Sequence, residues 1–394
     1  MAGRQVLAQL GRNDVILSGQ PDITFFKEEY RAQGLFATRV IDVQFESLPA
    51  FGSDVTVALP LNGDLVTAMY ARFDITPPPG TSFYDSAGAL MIERVELYTG
   101  NQLIERLWGE YITLLNEVEV PAGQQGGLTN LIGGTLLTGT NAPLSRYTVP
   151  LRFSCIERGL PCIPGLKCRV ILRSPSFFCP TIGGAQIPLT FKLLTEFAFL
   201  GQAEREFISK RGPTVYLSEN VERARFLAPA GTSNVRCATN FLHPVKELFF
   251  TIQNQGATGF DYCLDSSNVS GLSNLNQLQS LGMYFNEAQR LDPVIGTYLF
   301  LGTAQFIENH TRVPSRPFYM YSFSLDPESP RPSGAVNFGR IKHQYFDLFM
   351  APGSQNRVIS VWARYYQFLE VTGFKTARVL FDNMDETGQS SFIS

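Results

Sequence analysis

The chain has 394 residues, of which 44% are hydrophobic and only 17% charged, too apolar for a disordered protein. That length carries two or three domains at about 150 residues each, with ample room for a buried core. Its 32 Lys+Arg stand against 35 Asp+Glu, so the net charge of −3 excludes a basic coat for duplex nucleic acid. The 31 Phe, 15 Tyr, 34 Gly and 24 Pro lean towards β structure with many turns.

The chain opens with an apolar run, Val15-Ile16-Leu17, ahead of a turn at Ser18-Gly19-Gln20-Pro21. Arg4 and Arg12 are the only charges before Asp14, and residues 1–20 read as an N-terminal arm used in assembly. Alternation with period two then dominates. In 39–46, Ile41, Val43 and Phe45 oppose Asp42, Gln44 and Glu46. In 64–75, Leu65, Met69, Ala71, Phe73 and Ile75 oppose Asp64, Arg72 and Asp74. A strand is expected over 89–98. Ile104, Leu107, Trp108, Tyr111, Leu114, Leu115 and Val118 follow helical spacing and predict a helix. The stretch 119–145, dense in Gly and Pro, reads as a long surface loop outside the framework.

Strands follow at 147–153, 168–173 and 189–200. In the last, Leu189, Phe191, Leu193, Phe197 and Phe199 form one face against Thr190, Lys192 and Glu196. A short helix over Gln202–Lys210 leads into a joint expected near 201–220. Further strands are expected at 246–253, 318–325, 335–350 and 356–371. Loops are expected at 76–88, 180–188 and 264–277. The order of features repeats: a strand, a Pro/Gly break and a second strand occur at 147–173 and again from 318. Two all-β units explain this, divided as an arm (1–20), a first unit (21–205) and a second (206–394). Each has enough strands for a sandwich of the jelly-roll type, although the pattern alone equally admits an immunoglobulin-like one.

A search for chemistry finds little. No HExxH, GxSxG or GxxxxGK[ST] motif is present. The glycines in Gly123-Gln-Gln-Gly126-Gly127 lack the flanking elements of a phosphate cradle. The six Cys (155, 162, 168, 179, 237 and 263) have no Cys-x-x-Cys spacing and read as reduced, buried thiols. Cys237 with His243 would need the fold to bring them together. Glu46, Glu93, Glu96 and Glu196 leave open a paired-carboxylate site, hence an alternative carbohydrate-active sandwich with a Trp- or Tyr-lined groove. Sequons occur at Asn268 and Asn309. No apolar run approaches the roughly 20 residues of a membrane helix, and MAGRQVLAQLGRND lacks the apolar centre of a secretory signal.

Six segments, in order, resemble one family. They are QLGRNDVILSGQPDITFFKEEYR (9–31), IERVELYTGNQLIERLWGEYITLLNEV (92–118), YTVPLRFSCIERGLPCIPGLKCRVIL (147–172), FLHPVKELFFTIQ (241–253), YMYSFSLDPESPRPSGAVNFGRI (319–341) and ARYYQFLEVTGFKTARVLF (363–381). The sequence resembles the major capsid proteins of nucleocytoplasmic large DNA viruses, iridovirus-like and phycodnavirus-like, and their smaller virophage-like and polinton-like relatives. Tyr366 and Gly339 depart from that pattern, which commonly has Asn and Ser there. The resemblance implies an all-β fold of two consecutive jelly rolls and no enzymatic activity, catalytic residue, metal or cofactor. It implies a homotrimer with a pseudo-hexagonal outline that tiles an icosahedral shell, built in the host cytoplasm. The implied partners are the chain itself, neighbouring capsomers and minor capsid or penton proteins. An inner membrane is a further one, reached through the arm, and sequence-specific nucleic-acid binding is not implied. Within the resembling segments, Lys246 and Glu247 are neighbours on a strand and are expected on opposite faces. At least one of them should pair across a sheet or subunit boundary.

Overall fold

A computed structural model describes residues 2–9, 11–21, 24–26, 32–134, 140–260, 262, 277–353 and 355–380. The chain divides into a small unit, Met1–Leu35, and a large one, Phe36–Ser394. In the small unit, two short helices, Ala2–Ala8 and Arg12–Ser18, precede bends. Val15, Ile16 and Leu17 all lie on the second helix and are exposed.

The large unit begins with eight principal strands. They are β1 (Phe36–Val43), β2 (Asp54–Ala58), β3 (Leu65–Ile75), β4 (Ile92–Thr99), β5 (Gln102–Trp108), β6 (Arg146–Pro150), β7 (Leu166–Leu172) and β8 (Leu189–Leu200). They form two antiparallel sheets, in the orders β1-β8-β3-β6 and β2-β7-β4-β5. Helix Gln202–Lys210 follows, where the sequence placed it. Eight more strands come next: β9 (Thr214–Ala228), β10 (Asn234–Thr239), β11 (Pro244–Asn254), β12 (Leu278–Phe285), β13 (Ala288–Leu291), β14 (Tyr319–Ser322), β15 (Gln344–Met350) and β16 (Arg357–Thr372). Their orders are β9-β16-β11-β14 and β10-β15-β12-β13. Subtracting eight from each label reproduces the first pair of sheets. Each half is therefore the eight-strand, two-sheet sandwich of a jelly roll. Even a minor feature repeats: Leu160–Pro161 pairs with the start of β3, and Val336–Asn337 with the start of β11. A last strand, β17 (Thr376–Leu380), pairs with the end of β16.

Alternation places the core. On β3, Met69, Ala71, Phe73 and Ile75 are buried, and on β8 Phe191, Leu193 and Phe197 face them. Phe199 departs from the expected face. Ala198 is buried and Phe199 is exposed at the end of β8, while the register shift beside them falls on β3, where Thr67 is the extra residue. The second sandwich has its own interior, including Leu248, Phe250, Ile252, Phe346, Leu348, Ile359 and Val361. Departure from the family pattern at 339 has a packing reason. A Cβ on Gly339 would stand 2.6 Å from the Leu242 carbonyl oxygen.

Four expectations are corrected. Residues 102–108 form strand β5, and the helix starts only at Gly109. The missed signal is Gly100-Asn101, a two-residue hairpin turn with Gly100 at φ 58° between β4 and β5. Strand β9 occupies part of the expected joint, which shrinks to the residues between Leu200 and Thr214. Its four charged residues, Glu219, Glu222, Arg223 and Arg225, hid it from an apolar-alternation search. The stretch 119–145 is not simply a loop: helix Gln125–Ile132 buries Leu128 and Ile132. The expected strand 335–350 is broken by a 3-10 turn over Phe338–Arg340. The expected loop 264–277 lies outside the described residues except for Gln277, which is buried.

Candidate functional site

The residues with the densest polar chemistry lie where the two sandwiches meet. Helix Gly109–Val118 is buried at all ten positions. It and β5 lie on the outer face of the β9-β16-β11-β14 sheet. Tyr111 stacks on Trp362 at 5.9 Å and meets Phe249 edge-on at 6.5 Å. The Arg223 guanidinium lies 3.7 Å over the Trp108 ring. Trp108 and Trp362 meet edge to face at 6.5 Å. Both tryptophans of the chain thus sit in the junction, not in the open aromatic groove that the carbohydrate-active alternative requires.

Charges surround this aromatic centre. Arg364 donates to Glu219 at 2.7 Å, Glu119 at 2.8 Å and Glu247 at 2.9 Å. Lys246, fully buried, donates to Glu219 at 2.5 Å and to the Pro327 carbonyl at 2.6 Å. Its ammonium also lies 5.6 Å from the Tyr366 ring centroid, within cation–π range, so the family-atypical Tyr supplies a face for a buried cation. His310 bridges two carboxylates, with Nε2 at 3.0 Å from Glu247 and Nδ1 at 2.8 Å from Glu328. Glu110 accepts from Gln253 at 2.9 Å and Thr251 at 3.3 Å. Glu117 accepts from Arg312 at 3.0 Å and Ser315 at 2.7 Å. Neutral bonds cross the junction too: the Gln367 amide donates to the Ile104 carbonyl at 2.7 Å.

The expected opposition of Lys246 and Glu247 fails for a local reason. The β11–β16 register skips from Val245 to Glu247, leaving Lys246 as a bulge. Both side chains consequently join one network through Glu219 and Arg364. Neither pairs directly across a sheet: Lys246 binds Glu219 and Glu247 binds Arg364 and His310, all in the second sandwich, and it is Arg364 that reaches Glu119 of the first.

Electrostatics make these groups locks. Burial would raise the Glu247 pKa, but His310 and Arg364 outweigh it and hold the carboxyl at about 2. Burial would lower His310, but Glu247 and Glu328 hold it at about 9. Both are charged at neutral pH. Glu105 differs. Burial pushes it up to about 8, more than the Ser154 and Cys155 backbone N–H groups (2.8 and 3.1 Å) pull it down. Beside it, burial and Glu105 raise the Cys155 thiol well above its usual range, so no thiolate forms. A cavity of about 250 Å³ opens here, lined by Glu105, Glu119, Arg152, Glu157, Glu219 and Arg364 among others.

The sequence candidates for catalysis are dispersed. Glu96 is buried on β4, held by Arg106 at 2.7 Å and Arg94 at 3.1 Å, and Arg94 also binds Glu93 at 3.1 Å. Glu196 stands on a different sheet, accepting from Thr67 at 3.1 Å, and Glu46 is exposed. Cys237 is buried in the second core with its thiol pushed up to about 12, while His243 stacks on Tyr365 at 4.1 Å. Gly123 lies in a 3-10 turn and Gly126 and Gly127 in the first turn of the helix that follows it, with no strand before them. Cys155, Cys162, Cys168, Cys179 and Cys237 are unpaired and buried, and Cys263 lies outside the described residues. The Asn309 amide donates to the Gln305 carbonyl at 2.8 Å, and Asn268 is outside the described residues. Among the described residues, no group of three His, Cys, Asp or Glu is arranged to hold a metal ion. No helix among them is long and apolar enough to cross a membrane.

Comparison with known proteins agrees over both sandwiches. The family described as "Large eukaryotic DNA virus major capsid protein" matches residues 204–366, and "Major capsid protein N-terminus" matches 24–166. The major capsid protein of Pyramimonas orientalis virus is 28% identical over 392 residues, covering 94% of this chain and 96% of the relative. In structure, the PBCV-1 virus capsid superposes with a TM-score of 0.78 at 20% identity, covering 91% of this chain and 100% of that one. The Faustovirus major capsid protein gives 0.69 at 12% identity, covering 91% and 94%.

Proposed function

The chain belongs to the major capsid protein family of large eukaryotic DNA viruses, and from that premise we propose that it works as a homotrimer with six sandwiches in a pseudo-hexagonal ring. Its place is the icosahedral shell of the virion. Its work is mechanical: complementary surfaces, lateral contacts between trimers and enclosure of the genome, without catalysis. The observation that carries the trimer is the repeat itself. Two sandwiches of one strand order stand in a head-to-tail relation held by the Arg364–Glu119 ion pair and the Trp108–Trp362 pair. A head-to-tail contact repeated between copies closes into a ring when the rotation permits.

The division into an arm (1–20), a first roll (21–205) and a second (206–394) belongs to this reading. So does assembly in the host cytoplasm. The arm, with Val15, Ile16 and Leu17 exposed, contacts neighbouring subunits, a minor capsid protein or an inner membrane from the inside of the shell. Light scattering after size exclusion is the test. It should report three times the 43.8 kDa chain mass, and a stable single-chain mass at micromolar concentration overturns the trimer. A variant lacking residues 1–19 should still form trimers but assemble shells poorly. Normal shells from it would refute the role of the arm.

A further inference from the structure

The two sandwiches share a strand order, so equivalent elements can be compared directly. After the fifth strand of the first sandwich comes helix Gly109–Val118, buried throughout because the second sandwich covers it. After the fifth strand of the second sandwich, β13, comes a helical segment over 298–309. Its inner side is occupied: Phe306 stacks on Phe249 at 6.4 Å and Gln305 is buried. Its outer side is bare. Leu299, Thr303 and Ile307 are all exposed along this segment, whose middle, Phe300–Ala304, is a π-helical turn, with Leu299 at 59% and Ile307 at 66%. Val294, at 82%, extends the apolar patch.

The receiving surface has an equivalent too. Helix Gly109–Val118 sits on Trp362 and Phe249, each the sixth residue of its strand, paired across β16 and β11. The sixth residues of β8 and β3 are Leu194 and Tyr70, and these two are likewise paired. Both are half-buried and belong to neither hydrophobic core. The first sandwich thus presents the counterpart of the Trp362–Phe249 platform, while the second presents the counterpart of the helix that such a platform receives.

We propose that the face Leu299, Thr303 and Ile307 docks on the Leu194–Tyr70 platform of a second copy of this chain. The inference rests on the trimer reading and names the surfaces that close the ring. It repeats between copies the contact already made within one chain. The apolar patch is its own argument for a partner, since contiguous exposed aliphatic residues mark association sites.

The test substitutes both sides separately. Leu299→Asp with Ile307→Asp on one side, and Leu194→Glu on the other, should each convert the trimer into single chains by light scattering. All replaced side chains are at least partly exposed, so the circular dichroism spectrum and melting temperature should stay near wild type. Should an acidic variant unfold, a Leu194→Cys/Leu299→Cys chain treated with a short bismaleimide provides the second measurement. It should give linked species of two and three chains on a denaturing gel, with neither single-Cys variant doing so. Folded acidic variants that remain trimeric, or intact trimers that do not cross-link, overturn this inference and leave the trimer standing. A wild-type chain that is itself monomeric overturns both.

Discussion

The interior of each sandwich and the junction between them are built from different chemistry. The second interior is almost wholly aliphatic and aromatic, with Leu248, Phe250, Leu348 and Ile359 fully buried. The junction, equally dry at Glu247 and Lys246, is a lattice of paired charges around stacked rings. Apolar packing is non-directional and tolerates volume-conserving change. Charged hydrogen bonds fix direction, and a buried charge without its partner is strongly penalised. The interiors therefore supply the cohesion of each sandwich, while the junction sets the angle at which one is held to the other.

The sharpest break in that contrast is Arg364→Met. It leaves Glu119, Glu219 and Glu247 without their common cation, and it should destabilise by about 3–5 kcal/mol. The urea unfolding midpoint of the full chain reads this. A loss within the range of a single surface pair would mean that the network does not hold the junction.

His310→Gln sharpens the contrast through pH. His310 titrates near 6.5 when unfolded and at about 9 in the fold, so its contribution is complete below about 6.5 and fades as pH rises through about 9. Glu247 works oppositely: its contribution holds above its ordinary 4.5 and fades as pH falls towards about 2. The two shifts describe one interaction and are not additive. Melting temperatures measured from about pH 6 to about pH 9.5 should fall in the wild type, and the fall should shrink in His310→Gln. The same slope in both proteins would remove His310 from the lock.

Within a sandwich the response should be graded. Ile359→Val, deleting one fully buried methylene, should cost about 0.5–1.5 kcal/mol without changing oligomeric mass. At the surface it should nearly vanish. Lys210→Ala removes an exposed i, i+4 pair with Glu206, and the urea midpoint should stay close to that of the wild type. An Ile359→Val effect as large as that of Arg364→Met would erase the distinction between interior and junction.

The strands with clean alternation were legible from residues alone. β3, β8 and helix Gln202–Lys210 lie within a residue of where the pattern put them, because one face of each strand meets an apolar interior. The faint repeat of strand, Pro/Gly break and strand anticipated the duplicated order of β6–β7 and β14–β15. Alternation failed where the face of a strand is covered by charges instead of hydrocarbon. β9 is such a strand, its Arg223 and Glu219 committed to the junction. It also failed at the bulge of β11, where one extra residue re-aims Lys246 with no trace in the composition.

The all-β class and the resemblance that led to the family follow from residue order alone, since hydrophobic period and motif order are local properties of a chain. The junction is a product of folding. Glu119, Glu219, Glu247 and Arg364 come from four distant segments, and charges that far apart carry no mutual signal until sheet closure brings them within 3 Å. Register, bulge and the dry environment that makes each pair strong are products of packing, and those are what hold the two sandwiches to each other.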